Sequence, residues 1–203
     1  MDKIKKVKNP KQKRSRERVE LIFQSTVEVL KNDGIKALST NSIAAQAGIA
    51  VSSIYQYFPN KQAILAALYE DYLKGIRDFY EKNNTPENQN LTWQVFFTQI
   101  LVELHKLETS NRIDIELEKA MSLYPELIEI DRRHGDWMAD RIATSMQQMG
   151  SRWPRAKLKR LAHYIYELNS ATWNYRTQYQ VLKKEALEWS ITGILAIVGQ
   201  CFD

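Results

Sequence analysis

The stretch that constrains this chain most is Leu38–Leu65, LSTNSIAAQAGIAVSSIYQYFPNKQAIL. It divides into short helices separated by residues that cannot continue one. Ser39 and Thr40 carry side-chain oxygens able to satisfy the backbone N–H groups left unpaired at a helix start. Ile43, Ala44 and Ala47 then mark one inward face. Gly48 ends that helix, because glycine takes left-handed backbone geometry without a Cβ clash. Ile49 anchors the turn. From about Val51 a second helix carries Ile54 and Phe58 inward and leaves Val51, Ser52, Ser53, Tyr55 and Tyr57 toward other faces. Pro59–Asn60 stops it, and Asn60 caps a third helix beginning at Lys61. This is the layout of a helix-turn-helix whose second helix enters a DNA major groove.

Gly48–Leu65, GIAVSSIYQYFPNKQAIL, closely resembles the signature of TetR-family (TetR/AcrR) transcriptional regulators. The specific part is Tyr55-x-Tyr57-Phe58-Pro59-Asn60-Lys61 at a fixed distance after the alanine-glycine turn. The resemblance is sharp over about residues 16–65; beyond them it rests on length, helical pattern and chain order. It implies an all-α fold: an N-terminal three-helix helix-turn-helix module joined by a long helix to a C-terminal helical ligand-binding and dimerisation domain. One departure is Ala50, where many members have serine. Without that cap, worth about 1 kcal/mol, Ser52 or water is left to serve the exposed N–H groups.

The residues themselves indicate how DNA would be met. Val51, Ser52 and Ser53 are small, so the helix backbone can approach base edges; Val51 suits a thymine methyl and the serines suit bases or phosphates. Lys61 adds its charge to the free N–H groups of a helix start, a phosphate clamp. Thr40 offers a similar contact at the preceding helix start, and Asn41 reaches toward a base edge. The resemblance implies phosphate or base contact for Tyr55 and phosphate contact for Tyr57. Packing on the first helix is the alternative for Tyr55.

Charge supports the same partner. The chain's net +5 divides unevenly: residues 1–18 hold nine Lys/Arg against Asp2 and Glu17, or 9 − 2 = +7, and the other 185 residues hold 20 basic and 22 acidic, or −2. The positive excess therefore lies beside the motif that would face phosphate. Residues 1–14 read as a flexible basic arm, 15–62 as the helix-turn-helix domain and 63–203 as a helical effector-binding and dimerisation domain. Cys201 is the single cysteine, so no disulfide framework can form within one chain, which fits a reducing, cytoplasmic setting. No apolar run precedes position 19, and the longest apolar stretch, near Ile191–Val198, is far short of the ~20 residues of a bilayer span. A soluble protein with no membrane partner is expected.

Ser15 or its neighbours start a first helix with Val19, Ile22, Phe23, Thr26, Val27 and Leu30 inward, packed across the helix-turn-helix. Lys61–Tyr80 reads as one long amphipathic helix with Ile64, Leu65, Leu68, Tyr72, Ile76 and Phe79 on its stripe. Lys82–Asn90 reads as an exposed loop. Helices follow over Leu91–Thr109, Arg112–Leu123, Pro125 to about Met149, and onward from Pro154. The last, about Lys184–Phe202, is apolar on more than one face. Its Leu187, Ile191, Ile194, Leu195 and Val198 exceed what one core contact needs, so a second subunit is expected there. The resemblance likewise implies a four-helix bundle between two subunits.

Trp93, Phe96, Phe97, Met121, Tyr124, Trp137, Met138 and Trp173 are the expected lining of an effector pocket, aromatic walls made adaptable by methionine. Glu116 and Glu118 are placed to select a cationic effector or simply to face water. Asp131 and His134, three apart on a helix, allow a metal ligand pair geometrically; a plain core or surface histidine is the favoured reading. There is no HExxH, paired-cysteine spacing or glycine-rich phosphate loop, so neither enzyme activity nor a cofactor is expected. The reading is a homodimeric, ligand-responsive regulator, a repressor, binding a pseudo-palindromic operator and released by a small, largely apolar or aromatic effector. The alternative is a regulator controlled by a protein partner, without an effector.

Overall fold

The computed structural model describes residues 10–110, 114–121, 123–179 and 183–202, and among these every regular element is a helix. Helix α1 spans Pro10–Asp33 and starts five residues before Ser15. Proline suits the first helical turn, and the Lys/Arg run after it favours helix, so part of the expected basic arm is ordered backbone. Residues 1–9 of that arm lie outside the described residues. The inner face of α1 buries Ile22, Ser25, Thr26, Val29 and Leu30, with the Thr26 hydroxyl donating to the Ile22 carbonyl at 2.7 Å.

Gly34, at φ 75°, turns the chain into a short 3-10 turn at Ile35–Ala37. Helix α2, Thr40–Ala47, is opened by Ser39, whose Oγ accepts from Ser42 N at 3.0 Å while Ser42 Oγ accepts from Ser39 N at 2.9 Å. Gly48 closes it in the left-handed region, φ 63° and ψ 34°. Helix α3 is only Val51–Tyr55, shorter than the sequence period indicates. Its start at Ala50 has no side-chain cap. Pro59 keeps the chain before it from continuing the helix, and the N–H groups of Tyr57 and Phe58 both return to the Ile54 carbonyl at 2.9 Å. Phe58 still turns inward and meets Phe23, ring centroids 6.0 Å apart.

Helix α4, Lys61–Asn83, is capped by Asn60 Oδ1, which accepts from Ala63 N at 2.8 Å. Its buried stripe is Ile64, Leu65, Leu68, Tyr69, Leu73, Ile76 and Tyr80; Tyr72 and Phe79, expected inside, are half-buried at its edges. The expected loop over 82–90 contains a one-turn helix, α5, Pro86–Gln89, capped by Thr85. Four longer helices and one short one follow: α6 Trp93–Ser110, α7 Asp114–Met121, α8 Pro125–Gln148, α9 Arg155–Tyr179 and α10 Lys183–Gly199. Helix α8 packs along both α4 and α9, α10 packs on α9 and α6, and α7 rests against α8 and the 3-10 turn. Among the described residues, no helix is long and apolar enough to cross a membrane.

Candidate nucleic-acid interface and ligand cavity

The side chains assigned to DNA lie where the capping chemistry sets them. Ser39 fixes the start of α2 with Thr40 half-buried and Asn41 exposed at its first turn; Gly48 then aims α3 so that Ser52 is exposed and Val51 and Ser53 half-exposed. Tyr55 is 54% exposed, and its hydroxyl lies 3.2 Å from Thr40 Oγ1, which links the end of α3 to the start of α2. It therefore does not pack down on α1. Tyr57 is half-buried against the core. Lys61 departs from the expected free clamp: its Nζ donates to the Leu38 carbonyl at 3.0 Å and stands 5.9 Å from the Tyr124 ring centroid. The ammonium thus ties α4 to the residue before the Ser39 cap, at the joint with α8.

A cavity of about 390 Å³ lies among α4, α6, α8 and α9, with Met121 of α7 and Ile194 of α10 completing its wall. Most of the wall is apolar, including Leu73, Ile76, Phe97, Ile100, Leu101, Leu104, Met138, Ile142 and Ile165. One end is polar. Asp131 Oδ1 accepts from the hydroxyls of Tyr69 at 2.7 Å and Tyr166 at 2.8 Å. Gly135 makes the second contact possible, since a Cβ there would stand 3.0 Å from Tyr166 Cε1. Burial, reinforced by Asp131, drives the Tyr166 hydroxyl far above the usual phenol range.

His134, 1% exposed, sits one turn beyond Asp131 with its ring edge-on to Tyr166. Burial first, then the Arg77 guanidinium, lower its pKa to about 4, so the ring is neutral near pH 7. Arg77 Nη1 stands 3.4 Å from His134 Nδ1, an arrangement that puts the imidazole proton on Nε2, while Arg77 Nη2 pairs with Glu70 at 2.6 Å. Among the described residues, no group of three or more His, Cys, Asp or Glu is arranged to hold a metal.

Of the expected pocket residues, Phe97, Met121 and Met138 line the cavity. Phe96 is buried behind it, edge-on to Phe97 at 5.2 Å. Trp93 instead stacks on Phe202 at 5.2 Å and 2° and covers Gly199, sealing the end of α10. Trp137 meets Tyr80 edge-on and carries Arg141 on its ring, and Tyr124 lies under Lys61; neither reaches the cavity. The Trp173 and Glu118 side chains lie outside the described residues. Glu116 is not on the wall either: its Oε2 accepts from Ile35 N at 2.8 Å. Among the lining residues missed were Tyr69, Asp131 and His134, whose inward period on their helices was the available signal.

On α10, Ile194 and Val198 are buried by their own chain, so they do not form a surface for a second subunit. The helix has apolar residues on several sides, and this side closes the intramolecular core. Leu187, Ile191 and Leu195 are half-buried. An apolar groove between α9 and α10 includes Tyr175, 41% exposed, and Trp189, 59% exposed, over Gly193.

A three-helix head containing a helix-turn-helix, joined by a long helix to a helical body with a cavity, is the architecture expected of a DNA-binding regulator of transcription. The pattern of bacterial regulatory proteins of the tetR family matches residues 22–68, across the head and the start of α4. The head of this chain thus carries the DNA-binding pattern of the TetR family of transcriptional regulators. It is 37% identical over 108 residues to the fatty acid metabolism regulator protein of Bacillus subtilis (strain 168), an alignment spanning 51% of this chain and 55% of that relative. The fold is shared along nearly the whole length with a TetR transcription regulator from Haloarcula marismortui, TM-score 0.75 and 14% identity, covering 92% of this chain and 98% of that one. A TetR-family regulator from Streptomyces coelicolor gives a TM-score of 0.62 at 21% identity, covering 91% and 99%.

Proposed function

We propose that this protein is a homodimeric repressor that holds a pseudo-palindromic operator and releases it when a small, largely apolar effector fills the cavity. The observation that carries this reading is the cavity itself, about 390 Å³ of mostly apolar wall, within the size range of small-molecule sites. A fully packed body would have favoured control by a protein partner. The similar Bacillus subtilis protein is named for fatty acid metabolism, which makes an aliphatic chain the first apolar body to try.

Helix α7 supplies a physical connection between cavity and head. Met121 lines the cavity near one end of α7, and Glu116 on the same helix accepts the Ile35 N–H in the turn before α2. An occupant that moves Met121 shifts the carboxylate holding that turn, and with it the angle of α2 and α3. Linkage then requires operator and effector to weaken each other by the same factor. Glu116→Ala is expected to leave effector affinity almost unchanged and to reduce the effector's influence on operator affinity by about tenfold, the scale of one lost charged hydrogen bond. Operator titrations with and without saturating effector measure it; an undiminished ratio assigns the relay elsewhere.

The second subunit would cover the α9–α10 groove, placing two α3 helices in successive major grooves about 34 Å apart. Selection of bound duplexes from a random DNA pool tests the reading as a whole. An inverted repeat with half-sites one turn apart is expected, and Tyr55→Ala should bind it about tenfold more weakly with its dimer intact. A pool without enrichment would remove the specific operator from the proposal.

A further inference from the structure

The cavity's polar end has a sign. Asp131 Oδ1 takes hydroxyl hydrogens from both Tyr69 and Tyr166, while Asp131 Oδ2 accepts no hydrogen bond from a described residue. Glu167 is the other charged side chain on the wall, and no lysine or arginine among the described residues lines it. Arg77, the nearest guanidinium behind His134, is turned toward Glu70. The imidazole it faces stays neutral near pH 7 through burial. Tyr69 and Tyr72, their rings 6.3 Å apart, both line the cavity, and Tyr69 reaches the carboxylate through its hydroxyl.

A carboxylate brought to this end would lose its water and meet like charge without a countercharge on the wall. A positively charged nitrogen would meet Asp131 Oδ2 across a short distance in a medium that screens it weakly. Resting on the effector reading above, we infer that the cavity takes an amphiphilic cation: an apolar body among Phe97, Leu101, Leu104 and Ile165, and a protonated nitrogen against Asp131. Selection by charge therefore comes from α8 and α9, not from Glu116 on α7.

The test uses the full-length protein and three probes of equal chain length, decylamine, decanol and decanoate, kept below micelle formation. Binding is read by calorimetry and operator release by gel shift. Decylamine is expected to bind about tenfold more tightly than decanol, with decanoate weakest, because one desolvated ion pair is worth about a decade in affinity. Asp131→Asn keeps an oxygen for the two tyrosine hydroxyls. It should erase the amine's advantage and leave decanol within about twofold of the parent. Decanol or decanoate binding the parent as tightly as decylamine overturns the inference whatever the variant does. Failure of all three to bind overturns the effector reading and this inference together, so the two failures are distinct.

Discussion

Ile54→Ala is expected to cost about 3 kcal/mol and to remove operator binding while the C-terminal helices remain folded. Ile54 is fully buried, and its carbonyl also receives the N–H groups of Tyr57 and Phe58, so the side chain anchors the turn that ends α3. The head around it is small: Ile22, Leu30, Leu38, Ile43 and Ile54 are its most deeply buried aliphatic residues, so a truncation removes a large share of its core. The chain provides its own reporter, because all five tryptophans, Trp93, Trp137, Trp153, Trp173 and Trp189, lie beyond the head. Thermal melting by far-ultraviolet circular dichroism should show an added early loss of helix in the variant, with tryptophan fluorescence still changing at the parent's temperature. A single transition shifted equally in both signals would mean that the head and body unfold as one unit through α4.

The head was legible because each of its turns is decided by one residue's own chemistry. Ser39 caps, Gly48 takes positive φ and Asn60 caps again, all within a few residues of what they satisfy. The short helix α5 lies where a loop is expected, although Thr85 before Pro86, a cap followed by a favoured first residue, carries its signal. The cavity was not legible, because its chemistry joins distant positions. Asp131 and His134 show in sequence only a helical spacing, which allows a metal pair but favours a plain core or surface histidine. Their meaning comes from Tyr69, 62 residues before Asp131, and Tyr166, 35 after it. Lys61 shows the same limit: local sequence offers its charge to phosphate, and the fold gives it the Leu38 carbonyl and Tyr124 instead. Aromatic content likewise could not separate Trp93, a seal on Phe202, from Phe97, a wall of the cavity. Periodicity identifies a buried face; the opposite face that meets it comes only from the assembled helices.

His134 is expected to make the protein progressively less stable as pH falls below its ordinary pKa of 6.5. In the folded chain the value is about 4, lowered by burial and by Arg77, so between these limits the unfolded chain binds the extra proton. Stability from this group is therefore complete above 6.5 and drains away as pH approaches 4, about 3 kcal/mol in all, with about 2 kcal/mol of it gone by about pH 5. Two groups from other helices face the ring: Arg77 from α4 opposes protonation, and the Tyr166 ring from α9 contributes burial. Urea unfolding of the parent and of His134→Gln, at about pH 7 and about pH 5, isolates the effect. The variant should be less stable than the parent at the higher pH through lost packing, yet lose about 2 kcal/mol less on acidification. Equal acid sensitivity in the two proteins would place the proton on another group and would mean that His134 charges without cost inside the cavity wall.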